Sequence, residues 1–382
     1  MTILFVIDSL APAGSEQSLA TMTPFLVERG ISVHVGFFGA NGGVGDKLTD
    51  GGATLHPVGT SAGRVAKVRA VRRLIDAIRP DLVHTTLFEA DVAGRVASWI
   101  ERVPVVSSLV SEPYGPEHVR NPEYKAWKVR AAQLTDILTA RLVRRFHAVS
   151  ASAATTMSRR LLIPRSRIDV VPRGRGPSLL GERTSRRRDT TRAALGLGEE
   201  PVILSVGRHV HVKGITTVVS ALNEVRRALP DVKLLIAGRP GPATSAIEAL
   251  IDELRLGDSV QLLGFRSDVH DLMCAADVLA QGSLVEGSPG VILEAMALRL
   301  PLVVSDIPAI RELGGEDPSS MMSLFLPSDQ ASLARACIGA LTDIDAASLR
   351  AENAMQRFET TYDIQVVAAQ MSEFYERAIG LR

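Results

Sequence analysis

Two glutamates, Glu286 and Glu294, stand on either side of a glycine-rich turn in the stretch VEGSPGVILEAMAL, residues 285–298. The apolar run after the turn predicts a helix that begins near Gly290. The first N–H groups of a helix lack partners within it and carry the positive end of its dipole, so such a start favours an anion. Ser288 and Val291 belong to the same turn and helix start.

The positions of the two carboxylates fit a nucleotide sugar. Glu294 lies about one turn inside the predicted helix, where it can reach a pair of ribose hydroxyls, and Glu286 on the loop can accept hydrogen bonds from sugar hydroxyls. The helix start would then hold a diphosphate between them. The alternative is that Glu294 complements the helix dipole and Glu286 is an ordinary loop acid.

Two cations follow an earlier predicted strand in SVGRHVHVKG, residues 205–214. Arg208 and Lys213 come after the strand-end glycine Gly207 and before a helix that Gly214 opens. Two cations at the carboxyl end of a strand, beside a helix start, can neutralise the charge that develops on a departing phosphate. The alternative is a pair of surface charges on a loop.

The chain alternates short apolar runs with amphipathic stretches, which predicts strands and crossover helices. Predicted strands in the first half lie at 2–8, 31–38, 53–58, 81–86, 104–109 and 146–150. The same pattern restarts with strands at 201–207, 232–238, 259–264, 277–281 and 301–305. Continuous apolar strands with helical crossovers indicate parallel sheets covered on both faces. The predicted fold class is therefore α/β, with two Rossmann-like domains.

These elements predict four segments. Residues 1–172 form an N-terminal domain, 173–200 a basic hinge or linker, and 201–345 a C-terminal domain. The segment 346–382 is helical, and its end is expected to pack back on the N-terminal domain. Ligands of open parallel sheets bind beyond the carboxyl ends of the strands, so two such domains are expected to face each other across a cleft.

Composition limits the class of protein. The chain has 382 residues, of which 46% are apolar and 22% charged, with a net charge of +1; these values are typical of soluble two-domain proteins. No apolar run is long enough to span a bilayer, and the N-terminus lacks a basic signal-peptide region. These features predict a cytoplasmic protein. Cys274 and Cys337 are expected to be buried structural thiols.

Basic residues are concentrated in residues 159–192, which hold eleven arginines and three acids. The stretch is interpreted as a solvated linker, with a surface for anionic lipid or a phosphorylated substrate as the alternative. Aromatic residues make up only 4% of the chain, so no stacking platform for nucleic acid is expected.

The order of the motifs resembles the retaining glycosyltransferases of the GT-B fold, in particular glycosyltransferase family four with its Glu-x7-Glu signature. The matching stretches, APAGSEQ, RPDLVHT, VVPRG, SVGRHVHVKG, LGFRSDVHDLMCAADVLA and LVEGSPGVILEAMALRLPLVVSD, extend over nearly the whole chain. The resemblance implies that a sugar moves from a nucleoside diphosphate sugar, such as a UDP- or GDP-sugar, to a hydroxyl acceptor with retention at the anomeric carbon.

Site residues follow from this resemblance. Arg208 and Lys213 would hold the donor diphosphate, Glu286 the transferred sugar, and Glu294 the nucleotide ribose. The remaining donor contacts would come from Gly14 at the first helix, across the cleft, from Gly207, from Ser288, Gly290 and Val291, and from Arg266 and Ser267 near the base. No cofactor and no metal are expected, since the DID string at 343–345 is better explained as a helix cap.

Three departures from the family pattern concern the turn before the first helix, a helix end and the acceptor side. Ala13 stands where the family has the first glycine of a pair. Arg299 replaces a glycine that ends the signature helix, a position where left-handed geometry disfavours a side chain. Where many members carry a histidine near the transferred sugar, this chain has Val110, Ser111 and Glu112. His84 is a candidate to compensate, although a lone histidine at a strand end is more often satisfied structurally.

Two rival functions stay open: a nucleotide-sugar epimerase of the same fold, and a catalytically degenerate binder of sugar nucleotides. An epimerase would be expected to show further carboxylates and a histidine placed for proton abstraction. The products expected of the transferase belong to polysaccharide, glycolipid or glycoconjugate biosynthesis. The basic helix at 64–73 offers peripheral contact with the inner face of a membrane, with a solvated basic face as the alternative.

Overall fold

The computed structural model describes residues 1–59, 63–115 and 125–380. The chain divides into two compact units. The first consists of Met1–Gly176 and Thr361–Arg382, and the second of Pro177–Thr360. Among the described residues, none of the helices combines the length and the apolar character needed to cross a bilayer.

The first unit is built on one parallel sheet with the strand order β3-β2-β1-β4-β5-β6-β7. Its strands are β1 (Thr2–Ile7), β2 (Ser32–Phe37), β3 (Thr54–Pro57), β4 (Leu82–Thr86), β5 (Val105–Leu109), β6 (Arg145–Ala148) and β7 (Ile168–Val170). Its described helices are α1 (Gly14–Glu28), α2 (Val44–Asp50), α3 (Arg64–Ile78), α4 (Phe88–Glu101), α5 (Ala126–Ala140) and α6 (Ala151–Leu161), with α16 (Ile364–Ile379) from the C-terminal part of the chain.

Apolar side chains on both faces of this sheet bury it. Ile3, Phe5 and Ile7 of β1 face α1 and α16, and Phe374 of α16 is fully buried in that cluster. Leu4 and its neighbours face α3 and α4 instead. The run of apolar residues from Ile3 to Ile7 therefore lies in the interior of the sheet, as expected for a parallel strand covered on both sides.

The second unit has a parallel sheet with the strand order β10-β9-β8-β11-β12-β13. Its strands are β8 (Val202–Val206), β9 (Lys233–Ala237), β10 (Val260–Gly264), β11 (Val278–Gln281), β12 (Leu302–Ser305) and β13 (Ser323–Phe325). Its helices are α7 (Pro177–Leu180), α8 (Ser185–Ala194), α9 (Ile215–Ala228), α10 (Thr244–Glu253), α11 (Val269–Ala275), α12 (Gly290–Ala297), α13 (Pro308–Leu313), α14 (Gln330–Thr342) and α15 (Ile344–Thr361), the last of which ends at the boundary of the unit. Two parallel α/β units confirm the predicted fold class. The two cysteines are free and buried, as predicted.

The structure corrects the prediction that residues 173–200 form a linker. Most of this segment belongs to the second unit, where it forms α7 and α8. Its arginines bind the protein itself: Arg183 donates to the carbonyl oxygens of Ala276 and Arg299, and Arg192 donates to that of Ala275. A guanidinium has five donors, so it can satisfy carbonyl groups that end other elements. This part of the basic stretch is thus folded into the second unit and is not a solvated linker throughout.

Candidate functional site

The candidate site of the second unit is formed by two loops that follow adjacent strands. β8 and β11 are parallel neighbours, so their carboxyl ends lie side by side. The loops touch where Leu284 N donates to Val212 O over 2.8 Å. Gly214 has a φ of +59°, and a Cβ atom there would lie 1.9 Å from the carbonyl oxygen of Gly282. Only glycine allows both the left-handed backbone and this close approach.

This contact between the loops brings Lys213 to Glu286. Lys213 Nζ donates to Glu286 Oε1 at 2.6 Å, and Ser283 Oγ donates to the same oxygen at 2.7 Å. The Glu286 side chain is only 12% exposed and that of Lys213 is 29% exposed. Both donors use Oε1, so Oε2 remains available, among the described groups, for the hydroxyls of a sugar. The two residues predicted on separate motifs therefore form one ion pair.

The helix start at α12 lies on the same loop. Pro289 is its N-cap residue, and no described side chain caps the helix. Ser288 is 3% exposed, and its Oγ has no hydrogen-bond partner among the described residues. A buried hydroxyl without a partner costs about 1–3 kcal/mol. An oxyanion at the helix start would accept hydrogen bonds from Ser288 and from the first N–H groups of the helix. This is the contact predicted for Gly290 and Val291 with a donor diphosphate.

The helix that follows Arg266 and Ser267, which were predicted near the base, contacts Glu294, which was predicted to bind the ribose. Glu294 Oε2 lies 3.7 Å from Nε2 of His270, a residue of α11 that the sequence analysis missed. Arg266 makes two hydrogen bonds to Asp268, at 2.8 and 2.5 Å, and this pairing lowers the pKa of the Asp268 carboxyl. Ser267, between them, is exposed. The Arg266 guanidinium thus stabilises the turn that presents Ser267.

Arg208 differs from Lys213, because it is exposed and has no side-chain partner among the described residues. Its cation is therefore not already neutralised. The neighbouring Gly207, which was predicted to form a close turn at a strand end, has room for a small side chain. A Cβ atom on Gly207 would meet only Lys213 carbons at 3.5 Å, whereas one on Gly238 would lie 1.8 Å from the Gly207 carbonyl oxygen. The close backbone approach is at Gly238.

Gly14 and Ala13 lie in the first unit, at the beginning of α1. A Cβ atom on Gly14 would be 2.9 Å from Arg173 Nη1, so glycine there leaves room for a cation close to the helix start. Ala13 is the N-cap residue, with a φ of −125° and a ψ of 176°. This extended backbone accepts any side chain, so the replacement of a glycine by Ala13 causes no strain.

His84 is not placed to bind an acceptor. Its Nδ1 is 2.8 Å from Tyr375 Oη and its Nε2 is 2.7 Å from Ser108 Oγ. Ser108 Oγ continues to Nδ1 of His147, whose Nε2 is 2.8 Å from the Val171 carbonyl oxygen. Burial lowers the pKa of His84 well below its usual value and that of His147 to about 4. Both ring nitrogens of His84 are used inside the unit, so the structural alternative accounts for this residue.

Ser111 and Glu112 lie after β5, beside a cavity of 410 Å³ in the first unit. Ser111 is exposed and lines the cavity. Glu112 points elsewhere, since its Oε1 accepts from Ser152 over 3.4 Å, and burial raises the pKa of its carboxyl. Of the three predicted acceptor-side residues, Ser111 is the one that lines this cavity of 410 Å³, whereas His84 lines a smaller one of 70 Å³ in the same unit.

The sequence analysis missed the carboxylates of this cavity, Asp8, Asp91 and Asp136. Asp91 and Asp136 both contact the fully buried Arg95, at 3.3 and 2.5 Å. Burial raises the pKa of Asp91 to about 7 and also raises that of Asp8, whose Oδ1 accepts from the Ala90 N–H. The i,i+4 spacing of Asp91 and Arg95 was the available signal, since such a pair shares one helix face.

Both the fold and the site define a protein with two parallel α/β units, the second of which has a helix start without a side-chain cap beside a lysine–glutamate pair. Residues 13–174 match the model of the glycosyl transferase 4-like domain, and residues 187–357 match that of glycosyl transferases group 1. Together the two models extend over most of the chain. The chain belongs to the glycosyltransferases with the GT-B fold.

Curated relatives agree with this family. The alpha-D-kanosaminyltransferase of Streptomyces kanamyceticus is 30% identical over 200 residues, which are 52% of this chain and 51% of the relative. The 2-deoxystreptamine glucosyltransferase of the same organism is 26% identical over 303 residues, 76% of this chain and 74% of the relative. The chain thus spans about half the length of the first relative and about three quarters of the second.

Solved structures share the fold. HepE of Anabaena, in a complex with UDP and glucose, superposes with a TM-score of 0.87 at 22% identity, over 99% of this chain and all of the other. Sucrose-phosphate synthase of Thermosynechococcus elongatus has a TM-score of 0.80 at 19% identity, with complete coverage of both chains. At these identities the likeness concerns the fold alone.

Proposed function

We propose that this protein is a retaining glycosyltransferase that moves a sugar from a UDP- or GDP-sugar to a hydroxyl acceptor. The observation that carries the proposal is the Lys213–Glu286 ion pair, at 2.6 Å, beside a helix start that no described side chain caps. A cation, free N–H groups and a carboxylate with an available oxygen are the groups that a diphosphate joined to a sugar requires.

Each donor group has one task. Arg208, Lys213 and the start of α12 bind the diphosphate, and Ser288 Oγ donates to one of its oxygens. Glu286 Oε2 accepts from hydroxyls of the transferred sugar, and Glu294 accepts from the ribose. Family membership and the Glu-x7-Glu spacing of the two glutamates support these assignments.

The proposed reaction breaks the bond from the anomeric carbon to the diphosphate oxygen and forms a bond from that carbon to the acceptor oxygen on the same face. The acceptor proton passes to the departing phosphate oxygen, so no side chain need act as a strong base. Arg208, Lys213 and the helix start stabilise the negative charge of the leaving group, as preorganised donors do in other transition states. Because these groups carry the charge, we propose that turnover needs no divalent metal.

The acceptor is proposed to bind in the cavity of the first unit that Ser111 and the carboxylates of Asp8 and Asp91 line. Carboxylates accept hydrogen bonds from hydroxyl or ammonium groups, whereas apolar side chains such as Phe88 and Val129 can cover the face of a ring. The name of one relative, a 2-deoxystreptamine glucosyltransferase, supports amine-bearing cyclitols as the first acceptors to test.

The first experiment is calorimetric titration with UDP, GDP, ADP and the corresponding sugar nucleotides, on the wild type and on Glu294→Ala. One nucleoside diphosphate is expected to bind with micromolar affinity and to lose at least about tenfold in the variant, because the ribose loses a charged acceptor. Glu253→Ala, at an exposed position of α10, is the matched control. If none of these ligands binds the wild type, the donor site is refuted.

A second experiment addresses the reaction. With the donor that binds, a transferase releases nucleoside diphosphate and a product with retained anomeric configuration only when acceptor is present, and a chelator leaves the rate unchanged. An epimerised donor without acceptor would identify the isomerase, and binding without turnover a degenerate protein.

A further inference from the structure

The outer face of α5 carries an apolar stripe of side chains that are more than half exposed. Trp127, Leu134 and Leu138 are 66%, 59% and 57% exposed. At about 100° per residue these three side chains project within about 20° of one direction, over roughly 16 Å of helix. Asp136 and Ala140, which are buried, lie on the opposite side of the helix. This stripe is therefore the solvent side of a helix whose inner side is already packed.

The end of α4 carries a second group of exposed apolar side chains, beside the turn that follows α5. Trp99 and Ile100 are 65% and 39% exposed, and they line a shallow depression of 720 Å³ together with Leu142, just after α5. The interior pair of Arg95 with Asp136 joins α4 to α5. The chain has two tryptophans, and both lie exposed on these two helices. Single exposed apolar residues are ordinary, but several large ones on one helix face indicate an interaction surface.

Cations surround this apolar group. The segment from the residue before α5 to the end of the following turn holds five exposed basic residues, namely Lys125, Lys128, Arg130, Arg141 and Arg144. Its only acid is Asp136, which is buried against Arg95. The exposed charge of this segment is thus entirely positive.

The positive charge of this surface indicates which partner can bind it. A two-fold contact between two copies of this face would bring like charges together and would leave them without counterions. A bilayer with anionic lipids supplies both an apolar layer for the tryptophan and leucine side chains and negative headgroups for the lysines and arginines. Tryptophan is also the side chain that prefers the boundary between headgroups and acyl chains.

We propose that this surface docks the protein on an anionic membrane. We name it the docking face, and it consists of Trp99, Ile100, Trp127, Leu134 and Leu138 with the five basic residues given above. The helix at 64–73, which the sequence suggested for this role, is less suited to it, because three of its five cations are paired: Arg64 and Lys67 with Glu89, and Arg72 with Glu101. The docking face is independent of the proposed donor site, all of whose ion-pairing residues lie in the second unit.

The test is flotation of the full chain with vesicles of phosphatidylcholine alone and of phosphatidylcholine mixed with phosphatidylglycerol. We expect binding only to the mixed vesicles, weakening as salt is added, with a shift of tryptophan emission to shorter wavelength, because both tryptophans enter a less polar environment. Leu134→Glu/Leu138→Glu and Arg130→Glu/Arg141→Glu are each expected to lower the partition coefficient at least about tenfold.

Two matched control variants test whether the loss of vesicle binding is specific to the docking face or follows from any change of surface charge or hydrophobicity. Arg69→Glu/Arg73→Glu changes two exposed arginines of α3, and Leu349→Glu changes a leucine of α15 that is 64% exposed. Both are expected to bind vesicles as the wild type does. Nucleoside diphosphate affinity should be unchanged in Leu134→Glu/Leu138→Glu, which also shows that this variant is folded.

Three results would overturn the proposal. They are a failure of the wild type to bind the mixed vesicles, equal binding to the neutral vesicles, and equal loss of binding in the α3 control. A dimer in sedimentation velocity that Leu134→Glu/Leu138→Glu abolishes would identify the face as a contact between copies and would likewise overturn it. None of these results bears on the donor site, which the calorimetric titration tests separately.

Discussion

Neutralising the two partners of the Lys213–Glu286 ion pair should move the affinity for a nucleoside diphosphate in opposite directions. In the ligand-free protein Lys213 Nζ is bound to Glu286 Oε1 at 2.6 Å. A bound diphosphate must therefore share or take over this cation. Removing the cation weakens diphosphate binding, whereas removing the competing carboxylate strengthens it.

The structure sets the size of each effect. A hydrogen bond to a charged group is worth about 1.5–3 kcal/mol, and because the Lys213 side chain is 29% exposed the lower end applies. Lys213→Met should then bind the nucleoside diphosphate about tenfold more weakly. A partly exposed ion pair contributes about 0.5–1 kcal/mol. Glu286→Gln, which keeps the shape and the contact with Ser283, should therefore bind it about twofold to fivefold more tightly.

Titration with the sugar nucleotide tests whether Glu286 binds the sugar or only competes with the diphosphate for Lys213. Glu286→Gln should bind the complete sugar nucleotide more weakly than the wild type, because a neutral amide replaces the carboxylate that accepts from sugar hydroxyls. Calorimetric titration of both ligands into both variants gives the four affinities, with Glu253→Gln as the exposed control. Equal losses of nucleoside diphosphate affinity in both variants would refute the reasoning, as would wild-type affinity in Lys213→Met.

Three further predictions concern the two units. Gly214→Ala should lower the free energy of unfolding of the second unit by about 2–4 kcal/mol, since the new methyl meets Gly282 O in a left-handed backbone; an unchanged thermal midpoint would contradict this. Arg299 has a φ of +49° and pairs with Glu352 at 2.7 Å, so Arg299→Gly should raise the thermal midpoint slightly by releasing strain, whereas Arg299→Ala should not. Burial lowers the pKa of His147 from 6.5 to about 4. The unfolded chain therefore takes up this proton first, and stability falls as the pH drops from about 6.5 towards 4; His147→Gln should reduce this fall by up to about 3 kcal/mol in urea titrations, and parallel pH profiles would contradict the assignment.

Much of the fold is visible in the sequence, because the period of apolar residues is a local property. Strands such as β1 and β8 are apolar at all but one position and are separated by helical patterns, which is sufficient to indicate parallel sheets. β7 and β13 were not predicted, since each has only three residues and shows no period. Glycine and proline in the basic stretch 173–200 suggested a linker, although arginine contacts with distant carbonyls fold it into the second unit.

The candidate site shows the same division. The sequence marked Lys213, Glu286 and the start of α12, because a cation after a strand and a carboxylate before a helix are local patterns. It gave no sign of Ser283 as a second donor to Glu286, nor of His270 beside Glu294. His84 was a reasonable candidate until its partners Tyr375 and Ser108 were known.

The sequence by itself thus determined the class of fold, the order of its motifs and the chemical types of residue at the proposed donor site. Tertiary structure decided which of these residues meet. Lys213 and Glu286 are 73 positions apart and pair because β8 and β11 are neighbours in the sheet. It also decided that Arg64, Lys67 and Arg72 of α3 pair with Glu89 and Glu101, while the cations around α5 stay exposed. The physical reason is that periodicity and capping act within a few residues, whereas ion pairing and burial depend on which elements pack together.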